Sequence, residues 1–228
     1  MLRCRAFARP DMVRLLELDQ GLFPTPNPVT LDLLQKWINA APRFCLNYVD
    51  AGARHLSVEG FADDVAGDKV VAFGAAVPLK ERSFNDFVRG RIVEGELDSA
   101  HLYDGNGPLC VHLYHIEVLD RKATGPGLIQ RYVHDVARIA KEDFGKPVHC
   151  FSSYSVTYPS IRAIERLGGT RVPTHDGTRS FLTRSQVRCE RCFFSLLMQL
   201  NRASWFSRRS APMIRSRPRT KSLKSASC

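Results

Sequence analysis

The run LCVHLYHIEV at residues 109–118 constrains the chain more than any other stretch. It is largely apolar, β-branched and aromatic, the composition of a central strand covered on both faces. A glycine turn, KATGPG at residues 122–127, follows directly. A helical stripe of Leu128, Ile129, Tyr132, Val133, Val136, Ala137 and Ala140 comes next, with Gln130, Arg131, Asp135 and Arg138 on the opposite side. A strand that turns into an amphipathic helix must pack that helix back onto its own sheet, so the chain reads as a mixed sheet with helices on its faces. The turn is also an anion site in outline, because the first helical amides lack partners and the helix dipole adds positive charge there. A dinucleotide fingerprint needs a third glycine and a Walker loop needs Gly-Lys-Ser/Thr. Only Gly125 and Gly127 are present, followed by Leu128-Ile129-Gln130, and both readings fail.

The flanks extend the pattern. Residues 2–8 form a strand candidate, and Pro10 opens a helix with Val13, Leu15, Leu16 and Leu18 as its apolar face, ending before Gly21. Thr30 is placed to cap a second helix carrying Leu31, Leu34, Trp37 and Ile38, ending before Pro42. Strand-like runs at 43–50 and 69–77 are expected to pair. A long connection at 78–108 is expected to carry its own element on the substrate side. A strand at 147–156, a helix from about 159 to 167 stopped by Gly168-Gly169, and two short strands near 170–173 and 179–183 complete the order. The expected fold is α/β, a central mixed sheet of about six to seven strands with about four helices.

Charge divides the chain. Of the 228 residues, those from 184 onward carry eleven Lys and Arg against Glu190 alone, which is the whole net charge of +10; the preceding residues are neutral overall. A basic fold would suggest nucleic-acid binding by the body. Here that role falls to the tail, and the expected division is a domain at 1–185 and a basic, flexible tail at 186–228. The tail's FFSLLMQL is too short to span a bilayer, which needs about 20 residues. Beside Arg188, Arg191, Arg202, Arg208 and Arg209 it is a candidate for an amphipathic segment on an anionic membrane surface, and SRPRTKSLKS for nuclear import or nucleic acid. Seven cysteines at wide spacings read as thiols of a reducing compartment, and Cys189 and Cys192 lack a second pair for zinc, so no metal is expected. The expected location is cytoplasmic, with nuclear or peripheral-membrane attachment through the tail as the alternative.

Lys122-Ala123-Thr124-Gly125-Pro126-Gly127 directly after a strand resembles the pyrophosphate turn of the GNAT superfamily of acyl-CoA-dependent N-acyltransferases. ARPDMVRLLELDQGLFP near the start is similar to that family's first strand and helix, and YPSIRAIERLGG at 158–169 to its last helix. The resemblance covers roughly residues 2–185 and implies acetyl-CoA as acyl donor, a primary amine on a small molecule or protein as acceptor, and direct attack in a ternary complex. It implies that the strands around 112–118 and 148–153 splay to admit pantetheine along Ile116, Glu117 and Val118. The pyrophosphate then falls on the turn of Lys122, Ala123, Thr124, Gly125, Pro126, Gly127 and Leu128, held by its backbone amides, with Ser153 and Thr157 near the arm. Pro126 has no N–H, so one donor is missing, worth about 1.5–3 kcal/mol of CoA binding. The proline is expected to sit in the first turn of the helix.

The central strand is similar to the His-Leu-His-Val-Leu-Ala-Val strand of arylalkylamine N-acetyltransferases, which places His112 on the first histidine and Tyr114 on the second. His112 is thus the expected proton acceptor and Glu117 its rival, with a salt bridge from Glu117 to Arg131 as the structural alternative. Strict alternation puts His112, Tyr114 and Ile116 on one face and His115 and Glu117 on the other. The resemblance implies a tyrosine in the last helix as general acid, and Ile164 stands there instead; water, or Tyr154 or Tyr158 nearby, is then the expected proton donor to the thiolate, with Tyr154 the candidate acid. Together Ala123, Pro126 and Ile164 also permit a second reading, a catalytically weak or inactive CoA-binding module.

Overall fold

The structure is a computed structural model and describes residues 2–50, 69–154, 157–173 and 179–184. The chain divides into two units, Met1–Gln186 and Val187–Cys228, of which the second lies outside the described residues. The candidate amphipathic segment and the Cys189/Cys192 pair lie there too.

Among the described residues, seven strands form one sheet: β1 Leu2–Ala6, β2 Leu46–Asp50, β3 Lys69–Lys80, β4 Leu109–Val118, β5 Val148–Tyr154, β6 Thr170–Pro173 and β7 Arg179–Arg184. Their spatial order is β1-β2-β3-β4-β5-β7-β6. Only β4 and β5 run parallel; every other pair is antiparallel. Among the described residues, six α-helices accompany the sheet: α1 Arg9–Leu22, α2 Leu31–Ala40, α3 Glu81–Val88, α4 Arg121–Thr124, α5 Leu128–Phe144 and α6 Tyr158–Arg166. The two beyond the expected four are α4, which lies within the glycine turn, and α3, which occupies the long connection together with a 3-10 turn at Glu94–Glu96.

Local chemistry explains the helix starts. Thr30 Oγ1 accepts from Leu33 N at 3.3 Å and caps α2. Ala8 brings no cap to α1, and Asp11 substitutes by reaching back to Ala8 N at 2.7 Å while pairing with Arg5 at 2.7 Å. Helix α1 runs through Gly21, because the buried stripe Met12, Leu15, Leu16 and Asp19 holds its last turn; Val13 is exposed, contrary to expectation. Strand β3 is three residues longer than its sequence run and passes through Pro78 to Lys80.

The core has two halves, one on each face of the sheet. Leu15, Leu34, Trp37, Phe73, Phe84 and Phe87 fill the half under α1, α2 and α3. Leu46, Tyr48, Val71, Val111, Tyr132 and Val136 fill the half under α5. Gly74 is required by packing in the second half, since a Cβ there would meet the Tyr132 ring at 2.6 Å. The Tyr132 hydroxyl in turn donates to Phe44 O at 2.7 Å.

Candidate active site

Strand β4 holds the site, and one irregularity in it decides the geometry. Its register with β3 shifts between Ala75 and Ala76: Leu113 pairs with Ala76 and His115 with Ala75, so Tyr114 is an extra residue. Such a bulge breaks the alternation of side chains. His112, Tyr114, His115 and Glu117 therefore share the α1/α2/α3 face, while Leu113, Ile116 and Val118 pack on the α5 side. The expectation that His115 and Glu117 oppose His112 is corrected by this one inserted residue. The same bulge ends the pairing with β5, which runs from Leu109 opposite Val148 to Leu113 opposite Ser153 and stops. Among the described residues, β4 from Tyr114 to Val118 is bonded to β3 alone. The Ile116, Glu117 and Val118 backbone thus has no β5 partner among the described residues.

Two histidine–carboxylate couples lie on the shared face. His112 is fully buried; its Nε2 lies 2.7 Å from Glu94 Oε1 and its Nδ1 3.1 Å from Ser152 Oγ. A carboxylate only accepts, so Nε2 carries the proton and donates to Glu94, and Nδ1 accepts from the Ser152 hydroxyl. The ring is walled by Phe87 at 4.4 Å and Tyr154 at 5.5 Å between centroids. His115 Nδ1 lies 3.0 Å from Asp19 Oδ1, and its Nε2 lies 3.7 Å from Glu117 Oε2. Burial works against charging His115, but the hydrogen bonds and charges of Asp19 and Glu117 outweigh it, and its pKa is raised above the ordinary histidine value. Tyr114 donates to Asp19 Oδ2 at 2.6 Å, and burial followed by that carboxylate pushes its phenol well up. Glu117 does not meet Arg131, which reaches Leu2 O from the other face and lies over the Tyr48 ring.

Asp120, Glu94, Asp19, Ser152 and Phe87 were not marked by the sequence reading. Asp19 carried a signal, a carboxylate three and four residues beyond Leu16 and Leu15 on a buried helix face. Glu94 carried none, because Glu94 and Glu96 sit in a charged loop where nothing in the sequence tells which points inward.

The glycine turn is more tightly self-bonded than expected. Asp120 Oδ1 accepts from Lys122 N at 2.9 Å and Ala123 N at 3.1 Å, and its Oδ2 pairs with Lys69 at 2.8 Å. Lys69 first, then these amides, hold the Asp120 carboxyl below the usual carboxylate range. Thr124 N and Gly125 N bond to Asp120 O and Arg121 O. The amides of Lys122, Ala123, Thr124 and Gly125 are thus already engaged. Pro126 does not start the helix either. Gly127, with φ of 92°, is the N-cap of α5, and the first helical bond runs from Arg131 N to Gly127 O at 3.0 Å. The proline stands one residue outside, so its missing N–H is not among the four orphan donors of the helix. Those donors, on Gly127, Leu128, Ile129 and Gln130, make no hydrogen bond among the described residues. Gly125 and Gly127 both take positive φ, which explains the glycine at each end of the proline.

At the far side of the opening, Ser153 Oγ donates to Tyr154 O at 3.3 Å. Thr157 Oγ1 accepts from Ser160 N at 3.4 Å and caps α6. Ile164 is buried beside Ile161. The site therefore joins His112, Tyr154 and Ser152 with Glu94, sets Ile116–Val118 at the open edge, and gives Thr157 a capping role. No group of three or more metal-ligating side chains occurs among the described residues, and no described helix is long and apolar enough to cross a membrane.

Solved structures share the fold. Arabidopsis thaliana NAA60 in complex with acetyl-CoA is similar over 81% of this chain and 99% of that one, with 15% identity and a TM-score of 0.50. The chain has the GNAT fold. The same Arabidopsis protein bound to a bisubstrate analogue is similar over 81% and 98%, with 14% identity and a TM-score of 0.50. No protein-family model matches the chain, and no curated protein matches it in sequence. Four outward amides and an unpaired strand edge suit a ligand with a diphosphate and an extended amide-bearing arm, so the residues present fit acetyl-CoA.

Proposed function

We propose that the chain is an acetyl-CoA-dependent N-acetyltransferase acting on a primary amine. The observation that carries the reading is the free β4 edge, Tyr114 to Val118, opening beside a buried His112 that is hydrogen-bonded on both nitrogens. The edge offers backbone groups for the pantetheine amides, and the amides of Gly127 to Gln130 receive the pyrophosphate. Bound acetyl-CoA supplies an activated acyl carbonyl to the acceptor.

This chain's own residues manage the proton. A buried imidazole needs a path, and Ser152 Oγ provides one, since it already donates to His112 Nδ1. The hydroxyl passes its proton to Nδ1 as it takes the one released by the amine, and Glu94 at Nε2 stabilises the imidazolium that results. Tyr154 packs its ring against His112 and Phe87 and excludes water from that side. Glu117 faces His115 and is assigned to the acceptor end.

Calorimetry with acetyl-CoA, followed by thiol release against a panel of small amines and peptides, tests the reading. Binding with amine-dependent release supports it. CoA binding without turnover on any amine favours an inactive CoA-binding module, which the engaged amides of residues 122–125 would suit. Absence of binding refutes both.

A further inference from the structure

Asp19 is the one buried acidic side chain on α1 that reaches β4. It is 8% exposed, and each of its two oxygens is taken by one of the two residues the bulge brings side by side: Oδ2 by the Tyr114 hydroxyl at 2.6 Å and Oδ1 by His115 Nδ1 at 3.0 Å. Bound at Nδ1, the imidazole has its ring plane fixed, and it also stacks on Phe73 at 5.6 Å and 17°. Its free nitrogen, Nε2, then points along β4 to Glu117, 3.7 Å away and about a third exposed at the open edge. Phe23, next after α1, covers the ring at 6.1 Å.

We propose that Asp19 is a positioning residue, which through His115 sets the orientation and the partner of Glu117 at the acceptor end of the cleft. The inference rests on the acetyltransferase reading for the word acceptor; the linkage from Asp19 through His115 to Glu117 rests on geometry alone. The groups facing His115 are Asp19 from α1 and Tyr114 and Glu117 from β4; Phe73 and Phe23 bring no charge. Two carboxylates against one imidazole make a bridged ion pair, in agreement with the raised pKa of His115. The Glu117 carboxylate is thereby held beside the imidazole.

The test is a titration of His115 in the full chain by NMR with labelled histidine, which needs no substrate. Wild type is expected to titrate above the ordinary histidine value. Asp19→Asn should lower the midpoint by about one to three pH units, the range commanded by an adjacent opposite charge. Tyr114→Phe, which removes the other bond to Asp19 but keeps the carboxylate on His115, should leave the midpoint high. An unchanged midpoint in Asp19→Asn, or equal shifts in both variants, overturns the proposal. In the amine assay, Asp19→Asn should raise the acceptor KM several-fold at neutral pH, leaving calorimetric CoA affinity as in wild type. A changed CoA affinity with unchanged acceptor KM would assign Asp19 a structural role and overturn the proposal. Should Asp19→Asn not fold, His115→Gln tests the link from the other side: the inflection of acceptor KM with pH should vanish, and its persistence overturns the proposal. If acetyl-CoA fails to bind wild type, the acetyltransferase reading falls while the titration still decides the linkage.

Discussion

Glu94→Gln isolates the contact that the proposed proton path depends on most. The Glu94 Oε1 to His112 Nε2 distance is 2.7 Å, and the imidazole is fully buried, so no water replaces a lost partner there. When His112 takes a proton at Nδ1, the contact becomes an ion pair in a desolvated setting. A hydrogen bond to a charged group is worth about 1.5–3 kcal/mol, and each ~1.4 kcal/mol is tenfold in rate. The Glu94 side chain is a quarter exposed, which moves the expectation toward the lower half of that range. A loss of about ten- to fortyfold in kcat/KM follows. Glutamine adds a second fault, since its amide can donate to Nε2, forcing the proton onto Nδ1 and closing that nitrogen to Ser152. The assay is thiol release with a saturating amine, beside calorimetry with acetyl-CoA, whose affinity should not change. His112→Gln should lose more, about a hundred- to ten-thousandfold, the usual span for a removed proton acceptor. If Glu94→Gln turns over like wild type while His112→Gln does not, the carboxylate has no part in the proton path and the reasoning fails.

Gly74→Ala should destabilise the fold by about 1–3 kcal/mol, an overpacking cost, because its Cβ lands 2.6 Å from the Tyr132 ring; urea unfolding measures it, and Tyr132→Leu in the same chain should recover part of the loss. Gly127→Ala forces a side chain into φ of 92° at the α5 N-cap and should cost about 1–2 kcal/mol of stability, together with a weaker CoA isotherm; an unchanged isotherm would remove the Gly127–Gln130 amides from the coenzyme site. For pH, the folded pKa of His115 is raised, so its contribution to stability is full below the ordinary histidine value and is lost as pH rises through the folded midpoint. Denaturation midpoints of wild type should show that decline, and His115→Gln should not.

Much of the architecture was legible because periodicity reports burial. The ten residues of β4 were read with their final bounds, and Thr30 was recognisable as a cap from its place ahead of an apolar run. The site was legible in kind but not in geometry. Alternation assigned the faces of β4 wrongly because one residue, Tyr114, is unpaired in the ladder, and nothing in LYHI distinguishes a bulge from a regular pleat. The turn misled for a different reason. A Gly-Pro-Gly sequence states which dihedrals are allowed, but not that Asp120, two residues ahead of Lys122, would occupy the amides itself. Partners brought from distant segments, Glu94 eighteen residues from His112 and Asp19 nearly a hundred from His115, are set by the packing of α1 and the long connection, and no local pattern encodes them.

The extra residue in β4 also says how such a cleft is specified. Deleting Tyr114 would leave Leu113 and His115 as ordinary neighbours, and every side chain beyond them would keep the face it has now. What would change is the path of the strand: without the local bend, β4 would run straight on beside β5 and the ladder would continue past Ser153. The break in the ladder is therefore written as strand length as well as residue chemistry, since a chain one residue shorter here would lose both the bend and the Tyr114 contact with Asp19.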